Sequence, residues 1–130
     1  MIARRKAASQ EAQQQYTADQ ELAERFEELL EGARGAEQAL RDAEAARAPL
    51  PERYRLAKAL DAALTDTMRA AYAAERVAIG PLGYDDRIYR RKAKATPPVR
   101  LWSSEAERLL TLRESHQLTG IPRMPRSPAA

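Results

Sequence analysis

Five cations lie within eight residues, Arg87, Arg90, Arg91, Lys92 and Lys94, with Tyr84 and Tyr89 set among them. Cationic side chains beside aromatic rings suit phosphate contact with base stacking, anionic lipid headgroups, or an acidic groove on another protein. The spacing selects none of the three. No RNA-recognition or KH pattern accompanies the cluster. Trp102, the chain's single tryptophan, follows on the same stretch. It reads either as an anchor in a partner's pocket or as packing against a helix. The candidate interaction residues are therefore Arg87, Tyr89, Arg90, Arg91, Lys92, Lys94 and Trp102.

Other reactive side chains do not assemble into a reaction centre. Asp85-Asp86 is a carboxylate pair after Gly83. Adjacent acids can hold Mg2+ or move protons, yet no third ligand or histidine is near in sequence. A turn-stabilising role, or ion pairing with Arg87, Arg90 or a neighbouring subunit, is the expectation. His116 is the only histidine and cysteine is absent, so neither a disulfide nor a zinc site is available. Glu114 lies on a different helix face from His116, which reads as an interface or surface residue. No catalytic, metal or cofactor residue is predicted, and the chain is not expected to be an enzyme.

Two apolar seams organise the elements around these residues. Leu22, Phe26, Leu29, Ala33, Ala36, Leu40 and Ala43 form one; Leu56, Leu60, Ala63, Thr67, Ala70, Ala74 and Val77 form the other. Steps of four and three keep one helix stripe facing a partner. Between them Pro49-Leu50-Pro51 interrupts the helix, because proline lacks an amide proton and constrains its predecessor. The spacing predicts a first helix from Ser9 to about Ala48 and a second from Pro51 to about Ile79, ended by Gly80-Pro81-Leu82-Gly83. Gly32 and Gly35 within the first helix permit close backbone approach or are simply surface positions.

Beyond residue 80 the pattern weakens. Pro97-Pro98 and the alternation of Val99-Arg100-Leu101-Trp102 predict an extended basic arm over 81–103. Ser104 and Glu107 read as a capping box opening a short helix over 104–118. The reading is thus all-α: a basic tail over 1–8, a long antiparallel helical hairpin over 9–80, the arm, the short helix, and a proline-rich basic tail over 119–130.

Composition limits what such a fold can bury. Of the hydrophobic 44% of the chain, 27 residues are alanine, which favours helix but buries little area. Mean hydropathy is −0.65 and 32% of residues are charged. A thin core without metal or disulfide points to burial against partner chains. Net charge is +3 overall but unevenly spread: −6 over 11–50 and +5 over 81–130. A dedicated nucleic-acid binder is more often basic over most of its surface. No apolar run approaches the roughly 18 residues that span a bilayer. The opening Met1-Ile2-Ala3-Arg4-Arg5-Lys6 reads as an organelle-targeting start or as a plain basic tail.

The segment Leu82-Gly83-Tyr84-Asp85-Asp86-Arg87-Ile88-Tyr89 resembles a stretch of subunit 7 of the mitochondrial cytochrome bc1 complex. Pro98, Arg100-Leu101, Arg108, Arg113, His116-Gln117 and Ile121-Pro122-Arg123 then follow in that family's order, so the likeness covers 82–123. Trp102 stands where that family has proline. The resemblance implies a non-catalytic subunit on the matrix side of the inner membrane, bracing the catalytic subunits of a respiratory complex. Its partners would be other protein subunits, with anionic lipid headgroups as further contacts and nucleic acid ranked below. The alternatives are an RNA-bound structural protein, such as a mitochondrial ribosomal subunit, and a self-associating coiled-coil adaptor; outside the mitochondrion the expected location is the cytoplasm.

Overall fold

A computed structural model describes residues 7–120 of the chain. The expectations placed on residues 1–6 and 121–130, including Ile121-Pro122-Arg123, lie outside the described residues. The described residues contain no strand and are almost wholly helical: α1 (Gln10–Glu24), α2 (Phe26–Ala45), α3 (Leu50–Ile79), α4 (Leu82–Asp85), α5 (Arg87–Ala93) and α6 (Pro97–Ser115), closed by a π-helical turn (His116–Gly120). The chain divides into two compact units. One joins the residues up to Phe26 with Arg69–Glu107; the other joins Glu27–Met68 with the residues from Arg108 on.

Three sequence expectations need correction. The first helix is interrupted at Arg25, whose amide hydrogen-bonds to the Leu22 carbonyl at 3.1 Å, a tighter turn that separates α1 from α2. Residues 81–103 are not an extended arm: α4, α5 and the start of α6 occupy most of them. Pro97 and Pro98 open α6 instead of breaking a helix, because first-turn residues have no carbonyl behind them to bond. Val99-Arg100-Leu101-Trp102 is consequently helical, and Ser104 sits inside α6 rather than capping it.

In the second unit, α2 ends in a Schellman closure. The Ala48 amide donates to the Ala43 carbonyl at 2.9 Å and the Arg47 amide to the Glu44 carbonyl at 3.1 Å. Arg47 takes the left-handed conformation (φ 52°) that this closure requires and that glycine usually fills. Pro49 and Pro51 follow, and α3 starts at Leu50. The Thr67 hydroxyl, fully buried, has the Leu29 carbonyl at 3.0 Å and the Ala63 carbonyl at 2.8 Å as acceptors. Ala33, Leu40, Ala43, Ala57, Leu60, Leu64 and Leu109 complete this core. The π-helical turn is tied to α3: His116 Nε2 lies 3.0 Å from the Ala57 carbonyl and therefore carries the proton, while Gln117 donates to Asp61 at 2.7 Å.

In the first unit, Ala12, Phe26, Ala70, Ala71, Ala73, Ala74, Ile79, Val99 and Ala106 form the core. Ser9 caps α1, its hydroxyl accepting from the Ala12 amide at 3.1 Å. Gly80 (φ 101°) ends α3. Gly83 is buried so closely against Ile79 that an added Cβ would overlap that side chain. Neither Gly32 nor Gly35 has any such neighbour, so both are plain surface positions on α2.

Candidate interaction surface

Asp86 creates α5. Its carboxylate accepts from the Ile88 and Tyr89 amides, each at 3.0 Å, satisfying two of the donors that a helix start leaves open. Asp85 instead accepts from the Ser9 amide at 2.6 Å and the Ser9 hydroxyl at 2.8 Å. The expected ion pairing of these acids with Arg87 or Arg90 is thus replaced by capping and by attachment of α1. Both carboxylates are engaged in holding backbone, and the cations beside them keep their charge for the outside.

Arg87, Arg90, Arg91 and Lys94 recur at the spacing of one helix face and together line a shallow hollow of about 290 Å³. Arg90 is half-buried and donates to the Gly83 carbonyl at 2.9 Å. Arg87, Arg91, Lys92 and Lys94 are exposed. Ile88 stands 68% exposed between them, lining a second hollow with Arg87 and Arg91, and Tyr89 is 42% exposed. Lys92 lies outside the hollow of the other four. Among the candidates named from sequence, the structure therefore brings together Arg87, Arg90, Arg91 and Lys94.

Trp102 belongs to α6 and is half-buried, its ring edge-on to Phe26 with centroids 5.1 Å apart at 88°. It also lines a hollow of about 330 Å³ with Ala23, Ala74 and Val77. It is both a packing residue and partly open.

Tyr84 lines a hollow with Arg90 of the cation cluster but commits its hydroxyl elsewhere. Its hydroxyl donates to Asp19, which also receives Arg76 Nε at 2.7 Å and a second guanidinium nitrogen at 3.1 Å. Burial pushes the Asp19 carboxyl upward, but Arg76 and Tyr84 outweigh it and hold it below the usual carboxylate range. Burial, with Asp19 beside it, raises the Tyr84 phenol far above its usual range, while the hydrogen bond that Arg76 donates to Asp19 raises the guanidinium. This trio, joining α1, α3 and α4, was invisible to sequence reasoning. One signal was present: stepping the first seam back from Leu22 by three lands on Asp19, a charged residue at a seam position.

Among the described residues no group of three histidine, cysteine or acidic side chains is placed to hold a metal. No described helix is long and apolar enough to cross a membrane. Comparison with protein-family models, with curated proteins and with solved structures finds no match to this chain.

Proposed function

We propose that the chain is a non-catalytic accessory subunit of a large multiprotein assembly, with a respiratory complex of the cytochrome bc1 kind, on the matrix side of the mitochondrial inner membrane, as the specific candidate. One observation carries the reading: alanine fills most of the interior while several bulky aliphatic side chains stand exposed. Nine of the sixteen buried hydrophobic residues among the described residues are alanine. Leu101, Leu112 and Leu118 are meanwhile 45 to 80% exposed. Alanine burial contributes little, whereas each exposed leucine would contribute about 1.5–3 kcal/mol once covered. Covering them on a partner supplies what the interior lacks, with the helical hairpin as frame.

Affinity purification of the full chain from native mitochondria, with mass identification of co-purifying proteins, tests this. Stoichiometric recovery of respiratory-complex subunits supports the reading. A chain that elutes alone and melts in one sharp cooperative transition as a monomer overturns it.

A further inference from the structure

We infer that α5 is a docking element for an anionic membrane surface, with Arg87, Arg91 and Lys94 meeting lipid phosphates and Ile88 entering the acyl boundary. This stands whether or not the accessory-subunit reading holds.

The argument begins with what the cations lack. The side chains of Arg87, Arg91, Lys92 and Lys94 have no hydrogen-bond or ion-pair partner among the described residues, although two aspartates immediately precede them. Asp85 and Asp86 line a hollow with Arg87, Ile88 and Arg91, but their hydrogen bonds go to Ser9 and to the α5 amides, so the cations of this short helix outnumber the acids beside them and reach solvent unpaired.

The shape of the site then selects the ligand. Every residue lining the four-cation hollow belongs to α5 or to its C-terminal cap position, so no second element closes over it. A free phosphate or nucleotide would be held from one side only. An extended anionic surface needs no enclosure and meets all the cations at once.

Ile88 separates a membrane from a nucleic acid. It is 68% exposed and shares a hollow with Arg87 and Arg91. A phosphodiester backbone offers an aliphatic side chain nothing. A bilayer offers phosphates at the depth of the guanidinium groups and hydrocarbon just below them. Tyr89, 42% exposed next to Ile88, is the amphipathic ring suited to that boundary. Cationic and apolar contacts together make the two-signal combination that stable attachment to a membrane takes.

The test is flotation of the full chain with vesicles of phosphatidylcholine alone and of phosphatidylcholine doped with phosphatidylserine. Binding should occur only to the anionic vesicles and fall as salt rises. The Arg87→Gln/Arg91→Gln/Lys94→Gln variant should lose on the order of a hundredfold in partitioning. Ile88→Ser should lose about tenfold with its salt dependence intact. Arg90 stays native because it also holds the Gly83 carbonyl, and circular dichroism confirms that each variant keeps its helix content. Equal binding to both vesicle types, or a triple variant that floats like the parent, overturns the inference. So does Ile88→Ser floating like the parent, or a chain that floats with neither vesicle type, whether or not it binds single-stranded RNA.

Discussion

Asp19 and Arg76 meet in a two-point contact, carboxylate to guanidinium at 2.7 and 3.1 Å, between residues 57 positions apart in the chain. The carboxylate side chain is 14% exposed and the arginine 44%. A forked, partly screened pair of this kind is stronger than an open surface bridge and weaker than a buried one. Asp19→Asn keeps the shape but removes the charge and one acceptor, leaving Arg76 and the Tyr84 hydroxyl underused. The expected loss is about 1 kcal/mol in urea-induced unfolding. An unchanged midpoint would show that the trio is ornamental.

The same trio sets the pH limits of the first unit. Asp19 titrates below its ordinary 3.8 in the folded chain, despite burial, because of Arg76 and Tyr84. As pH falls through that region the unfolded chain takes up the proton first, so the stabilisation present above it is lost. Tyr84 is shifted the other way from its ordinary 10.0, by burial and by Asp19. Above pH 10 the unfolded phenol ionises while the folded one keeps its proton, so stability falls as pH rises. The stability advantage of the parent over Asp19→Asn should therefore shrink below pH 4. Relative to Tyr84→Phe, the parent should weaken above pH 10. Thermal melts across both windows measure each limb.

Three glycines give opposite expectations from one substitution. At Gly83 a methyl group runs into Ile79, in a buried contact, and Gly83→Ala should cost about 1–3 kcal/mol. Gly32 and Gly35 face open space inside α2, so alanine at either should gain about 1 kcal/mol from helix propensity alone. Chemical denaturation of the three single variants checks this. A penalty at Gly32 or Gly35 would mean that those positions are covered by something beyond the chain.

What the sequence disclosed, and what it hid, follows from range. Leu29 and Thr67 were both seam residues by spacing alone, and the structure joins them through a buried hydrogen bond. Ser9 was equally legible, because a cap acts on amides three residues away. Pro97-Pro98 misled because a proline pair is compatible with ending one helix or beginning another; α6 takes the second option. Asp85 and Asp86 looked like partners for the neighbouring arginines, but the open amides at the start of α5 and the start of α1 claimed them. On the surface itself, the α5 cations were named from sequence, yet their freedom from those acids depended on that capping. Asp19–Arg76 could not be paired from local pattern at all, since many acids and bases compete across such a separation.

Arg47 holds a conformation that side chains other than glycine adopt at a cost. Its φ of 52° completes the closure of α2, and the amide bonds of that closure do not involve its side chain. Arg47→Gly should therefore raise stability by about 1 kcal/mol, the left-handed penalty being removed while the turn is kept. A thermal melt of the variant reads this directly. A decrease would show that the Arg47 side chain makes a contact worth more than the strain it imposes.

Trp102 supplies the means to watch one unit at a time. As the only tryptophan it dominates the fluorescence, and its edge-on contact with Phe26 at 5.1 Å lies within the first unit. Phe26→Leu preserves an apolar side chain of similar reach but removes the ring. It should cost about 0.5–1.5 kcal/mol for the aromatic pairing, beyond any change in packed volume. It should also shift the Trp102 emission, because a half-buried indole gains access to water when its ring neighbour is lost. Unfolding followed by this emission should then precede unfolding followed by circular dichroism, since the latter also reports α2 and the first turns of α3 in the second unit. If the two signals still fall together in the variant, the units unfold as a single cooperative body and the weakness introduced at Phe26 is felt throughout the chain.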